Sequence, residues 1–138
     1  MKAPVSASGR CLCGAVRFTA TLPRLSAIAC HCDMCRRWAG GVHLSVEARD
    51  VAFEAGAPVN VFVSSAWGER LFCGECGTHL SFRLRDGTFQ SVSPYALDPP
   101  PAVPLALEVF VDEKPDDYAF AGDTRKMTGA ELAKLLKP

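Results

Sequence analysis

Seven cysteines constrain this 138-residue chain more than any other feature, because they fall in three short clusters. The first is Cys11-Leu12-Cys13, the second Cys30-His31-Cys32-Asp33-Met34-Cys35, and the third Cys73-Gly74-Glu75-Cys76. An odd number of cysteines cannot close entirely into disulfides, and side chains two or three residues apart suit a metal better than a bridge. The opening residues, Met1-Lys2-Ala3-Pro4-Val5-Ser6, contain no apolar signal core. The expected location is therefore cytoplasmic, where clustered cysteines bind metals or do redox chemistry.

The CxC at Cys11 and Cys13 and the CxxC at Cys73 and Cys76 together supply four sulfurs, the number a closed tetrahedral zinc site requires. Gly77 follows the second pair and allows the positive φ of a tight metal-binding turn. The long separation of the pairs is no obstacle, since loop-closure entropy grows only logarithmically with length. Cys30, Cys32 and Cys35 are then left as a second group, a CxC and a CxxC sharing Cys32. In an extended segment the first two sulfurs share a face, and a tight turn returns the third. Three sulfurs leave one tetrahedral position for a water or a substrate, the pattern of catalytic zinc. Two alternatives stay open: a histidine closes the site, or the CxxC is a redox pair. His31 projects away from its neighbours on an extended segment, whereas His43 and His79 fall on the polar faces of their strands and are within reach.

The rest of the chain reads as short strands separated by turns. Gly14–Ala20 alternates, with Val16 and Phe18 on one face and Arg17 and Thr19 on the other. Pro23 ends that run, and Leu25–Ala29 leads into the Cys30 loop. Further strands are expected at 42–47, 51–53, 59–63, 80–84, 88–92 and 105–111, with Arg70-Leu71-Phe72 leading into the Cys73 cluster, Trp38-Ala39-Gly40-Gly41 as a turn and Asp86-Gly87 as a hairpin signal. Residues 3–10 read as a flexible start and 95–104, rich in proline, as irregular. Thr128 with Glu131 forms a capping box ahead of Leu132, Leu135 and Leu136, which predicts a short C-terminal helix. The fold class is mainly β, in a single domain spanning 1–138.

Fifteen basic residues balance fifteen acidic ones. Seven thiolates on two zinc ions would add a charge of about −3, which disfavours nucleic acid as a partner. No apolar run is long enough to span a membrane. Arg36 and Arg37 directly follow the second cluster, and a guanidinium pairs well with the carboxylate of an acidic thiol. They serve equally well as solvated charges offsetting the thiolates. Trp38 reads as a core ring, and Ser64, Ser65 and Arg70 are weaker candidates for lining a pocket.

The segments CLCGAVRF, CHCDMCRR and RLFCGECGTHL, followed by ALD and VFVDEKP, resemble the glutathione-dependent formaldehyde-activating enzyme family from about Cys11 to about Asp123. The resemblance implies small coiled antiparallel sheets, a fold shared with a zinc-containing chaperone of small GTPases. It implies a structural zinc on Cys11, Cys13, Cys73 and Cys76, and a second, glutathione-responsive zinc on Cys30, Cys32 and Cys35. The activity it implies is a carbon–sulfur lyase reaction joining glutathione to formaldehyde. The expected partners are thus a small thiol and a small aldehyde or thiol adduct. The rival readings are a non-catalytic thiol carrier and a structural zinc interaction module. His31, His43 or water is the expected general base.

Overall fold

Alternation in the sequence becomes strand pairing in the computed structural model, which describes residues 4–99 and 103–136. The strands are β1 (Val5–Arg10), β2 (Arg17–Leu22), β3 (Ala27–Cys30), β4 (His43–Glu47), β5 (Arg49–Phe53), β6 (Val59–Val63), β7 (Gly68–Cys73), β8 (His79–Leu84), β9 (Gln90–Val92), β10 (Leu105–Val109) and β11 (Arg125–Met127). Two helices accompany them, α1 (Asp33–Ala39) and α2 (Gly129–Leu136). The fold is mainly β with a short C-terminal helix, as expected. The chain divides into two compact units, one from the described residues of Met1–Leu25 and Val46–Val103, the other from those of Ser26–Ser45 and Pro104–Pro138.

In the first unit β2 turns Phe18, Ala20 and Leu22 inward and Arg17 and Thr19 outward. These side chains join Cys11, Val16, Val46, Cys73, Leu80, Val92 and Leu97 in one buried cluster. The sheet is antiparallel and three-stranded, in the order β1-β2-β5. Residues 5–10, expected to be a flexible start, are strand β1, paired along its length with β2 from Val5↔Leu22 to Arg10↔Arg17. Its sequence, VSASGR, has no apolar alternation because the strand is mostly exposed; its backbone ladder fixes it instead. A side chain at Gly9 would meet the Phe18 ring at 2.5 Å and the Ala96 carbonyl at 2.6 Å, so only glycine lets the strands approach this closely. The meander β6-β7-β8-β9 is antiparallel, and Val46 and Glu47 of β4 pair with Val92 and Ser91 of β9. Within the segment expected to be irregular, Pro94–Ala96 is a 3-10 turn and Gly9 bridges to Leu97, while 100–102 lie outside the described residues.

In the second unit β3 runs parallel to β10, with Ala27 opposite Leu105 and Cys30 opposite Val109. Strand β11 is also parallel to β10. Both pairings depart from the antiparallel pattern expected, because the partners are joined by long crossovers rather than hairpins. The turn expected after Cys32 is a full helix, α1, and it takes in Trp38 and Ala39. Gly40 ends it in the left-handed conformation (φ 77°), donating its N–H to the Arg36 carbonyl at 2.9 Å. The capping box ahead of α2 is present: Thr128 N–H donates to Glu131 Oε1 at 2.8 Å and Glu131 N–H to Thr128 Oγ1 at 3.1 Å. Among the described residues, no helix is long and apolar enough to cross a membrane.

Candidate metal centres

The first centre lies wholly in the first unit. Past the end of β1 the chain folds back on Cys11, whose N–H donates to the Val16 carbonyl at 3.0 Å while Val16 N–H donates to Cys11 Sγ at 3.3 Å. At the end of β7 the equivalent turn is closed by Gly77 (φ 80°), whose N–H reaches the Cys73 carbonyl at 2.9 Å. There Glu75 and Cys76 donate backbone N–H groups to Cys73 Sγ at 3.3 and 3.4 Å. These two turns bring four sulfurs within 4.8 Å of one another. Cys11–Cys13 is 3.6 Å and Cys13–Cys73 is 3.8 Å. A tetrahedron with zinc–sulfur bonds of about 2.3 Å has edges of about 3.8 Å, so the set fits a single ion. The shifts within the set are opposed: a hydrogen bond from the Thr78 hydroxyl, with backbone N–H support, lowers Cys76 to about 5, whereas Cys13, despite a backbone hydrogen bond that lowers it, is raised to about 12 by its sulfur neighbours, Cys11 first. Cys11 and Cys73 are buried, whereas Cys13 and Cys76 face outward.

The second centre lies wholly in the second unit. Cys30 ends β3, Cys32 is the N-cap of α1, and Cys35 sits in the first turn of that helix. Cys35 N–H donates to Cys32 Sγ at 3.3 Å. The three sulfurs lie within 4.8 Å of one another, as the CxCxxC spacing requires. Hydrogen bonds from Cys30 and then Cys35 lower the Cys32 thiol to about 2, and the same bond to Cys32 pushes Cys30 far above its ordinary value. Among the described residues both clusters consist of cysteines alone, with no histidine nitrogen in ligand range. Every one of the seven cysteines is free of disulfides.

The three histidines have separate fates. His79 belongs to β8 of the first unit. His43, assigned from alternation to a polar face, is buried at 6% exposure. His31 is fully buried and does turn away from its cysteine neighbours. Its Nε2 lies 2.7 Å from Glu108 Oε1 on β10, and its Nδ1 lies 2.7 Å from Tyr118 Oη. Glu108 is itself held by the Thr124 hydroxyl, with Lys126 Nζ at 3.8 Å. Burial works to raise the Glu108 carboxyl, but the hydrogen bonds from Thr124 and His31 outweigh it and hold the group below the usual range. Burial pushes Tyr118 up. Neither Glu108 nor Tyr118 was singled out from sequence. The one local signal is that Glu108 interrupts an otherwise apolar strand.

An open cavity of about 520 Å³ lies in the same unit, lined among others by Arg36, Gly41, Val42, Asp117, Tyr118 and Phe120. The two arginines, either of which was a candidate for a substrate carboxylate, therefore separate. Arg36 lines the cavity and donates Nε–H to the His31 carbonyl at 2.9 Å, whereas Arg37 is exposed and lies 3.8 Å from Asp33. Ser64, Ser65 and Arg70 belong to the first unit and are not among the residues lining this cavity. Ser65 Oγ accepts the Gly68 N–H in a turn, and the buried Arg70 guanidinium lies 5.2 Å from the centre of the Phe82 ring.

Comparison with known proteins agrees with this geometry. The chain is 30% identical over 134 residues to an uncharacterized lyase of Schizosaccharomyces pombe, covering 93% of this chain and 95% of that protein. It is also 30% identical over 136 residues to a Halomonas elongata protein provisionally named as a glutathione-dependent formaldehyde-activating enzyme, covering 83% and 86% of the two. The crystal structure of a Rhodobacter sphaeroides protein superposes with a TM-score of 0.57 at 24% identity, covering 72% of this chain and 99% of that one, and so shares the fold. The family model for glutathione-dependent formaldehyde-activating enzymes matches residues 6–113, and the chain belongs to that family.

Proposed function

We propose that this protein is a cytoplasmic zinc enzyme of the carbon–sulfur lyase type, adding or removing a glutathione-like thiol on a small carbonyl compound. The observation that supports this most is the second centre. It has three sulfurs and no fourth protein ligand among the described residues, and it is tied through Arg36 and His31 to an open cavity. The first centre, with four sulfurs, is the structural zinc site, and the two centres together serve one functional domain over residues 1–138.

In the synthetic direction the thiol sulfur bonds to the carbonyl carbon, the C=O π bond breaks, and the thiol proton ends on the new hydroxyl. The reverse step is elimination of the aldehyde. Cys30, Cys32 and Cys35 would hold a zinc ion, which would supply Lewis acidity and lower the pKa of a bound thiol. The chain's own residues do the rest. Arg36 offers a fork of N–H donors to a substrate carboxylate at the cavity wall, and Tyr118 and Asp117 give that wall polar partners. Phe120, Val42 and Pro115 make the apolar part of the lining.

The test has two stages. Elemental analysis of reduced protein should find two zinc ions per chain, one released on addition of glutathione. NMR of formaldehyde mixed with glutathione should then show exchange into the hydroxymethyl thioether faster than the spontaneous rate. No acceleration with formaldehyde or with other small aldehydes, in protein carrying both metals, would leave a thiol carrier instead of an enzyme.

A further inference from the structure

We propose that His31 is the positioning residue of the three-cysteine centre, a clamp that presets the sulfurs and joins them to the cavity wall through Tyr118. This rests on the second centre binding a metal, as argued above, and concerns residues that no ligand role requires.

His31 stands between two of the three cysteines, and every hydrogen-bonding group it has is engaged. Its N–H donates to the Val109 carbonyl at 3.1 Å and its carbonyl accepts from Arg36 Nε at 2.9 Å. Its ring nitrogens are each 2.7 Å from a partner, Glu108 and Tyr118. The ring also lies 5.5 Å from the Tyr118 ring and 6.1 Å from that of Phe120. A residue anchored at backbone and side chain alike leaves its two neighbours little rotational freedom. The Cα positions of Cys30 and Cys32 are then fixed, and only their side-chain rotamers remain to be chosen.

Glu108 sets the direction of its hydrogen bond. A carboxylate can only accept, so Nε2 carries a hydrogen toward Glu108, and Nδ1 shares the second bond with the Tyr118 hydroxyl. Glu108 is only 3% exposed, and its second oxygen is occupied by Thr124. Burying a carboxylate and an imidazole is costly unless each is fully satisfied. An apolar pair would fill the same space at lower cost, so the network suits a demand for orientation more than one for stability.

The experiment uses the full chain, reduced and loaded with zinc, in wild type, Glu108→Gln and Tyr118→Phe. Competition with a chromogenic chelator reads the affinity of each zinc, and cobalt substitution reads the ligand-field bands of the three-cysteine site. In Glu108→Gln the more weakly held zinc should lose about ten-fold or more in affinity, with altered cobalt bands, while the four-cysteine zinc is unchanged. Tyr118→Phe removes one oxygen from a half-buried side chain and should keep the fold, so it guards against a misfolded Glu108 variant. It should shift the same affinity in the same direction without moving the thermal midpoint. If both variants hold the second zinc like wild type, with unchanged cobalt bands and only a lower melting temperature, the network is packing and the proposal is wrong. A wild type that takes no second metal overturns this proposal together with the catalytic reading. Absence of thiol–aldehyde activity in doubly loaded protein overturns the catalytic reading alone.

Discussion

Cys13 and Cys73 are 60 residues apart in the chain, and their sulfurs are 3.8 Å apart. That contact ties the loop after β1 to the end of β7, and it lies at the margin of the buried cluster that contains Cys11 and Cys73. A metal there would close a 60-residue loop, so that its binding energy would add to folding energy.

Cys73→Ser should therefore lower the thermal midpoint by about 10 °C or more, or prevent folding outright. Circular dichroism melts with and without chelator check this. The variant and chelated wild type should melt alike, since both lack the same closure.

Cys32→Ser should behave differently. The three-cysteine centre contributes no residue to the core of the first unit, so this variant should fold and bind one zinc fewer by elemental analysis. It should also lose thiol–aldehyde activity. Equal collapse of the Cys32 and Cys73 variants would show that the two centres do not divide structure from chemistry.

Arg36 and Arg37 should separate in kinetics. Arg36→Gln loses a cavity-lining donor and should raise KM for an acidic thiol about ten-fold, the worth of one charged hydrogen bond. Arg37→Gln, on the exposed side of α1, should stay within about two-fold, because a surface pair at 3.8 Å contributes little. Steady-state kinetics against thiols with and without a carboxylate checks both.

Gly9→Ala places a methyl against a buried phenylalanine ring and a backbone carbonyl, neither of which can withdraw. The expected cost is about 1–3 kcal/mol from overpacking, measured by urea unfolding, with both metals retained.

The acid limb of stability should depend on Glu108. Its carboxyl is held below the ordinary range by Thr124 and His31. The stability it contributes is present above the unfolded carboxyl pKa of about 4.3 and is lost as pH falls through the lower folded value. Wild type should lose more stability than Glu108→Gln over that window. Comparing the two with the second zinc removed beforehand separates this carboxyl effect from the weaker metal binding expected of Glu108→Gln.

How much of this was legible in the sequence follows from the range over which each signal acts. Cysteine spacing is local chemistry, and the four and three sulfurs it groups lie within 4.8 Å of one another in the fold. Phe18, Ala20 and Leu22 announced β2 because one face of that strand is buried. Strand β1 has no buried face to announce itself, and only its ladder with β2 makes it a strand. Helix α1 was read as a turn because CDMCRRW is short and lacks an apolar stripe; its boundaries come from Cys32 acting as cap and Gly40 as terminator. His31 and Glu108 are 77 residues apart, and nothing near either residue foretells their contact. His43 shows the opposite failure, since alternation placed it outward and the fold buries it.

Cys32 Sγ is at once one of the three sulfurs that could hold a metal and the acceptor that starts α1. One atom thus carries both the inorganic and the backbone roles of this corner of the protein. Oxidising it, or alkylating it, removes the helix's first capping bond in the same event that disables the sulfur, so chemical damage at this position will be visible as unravelling of the segment that bears Arg36.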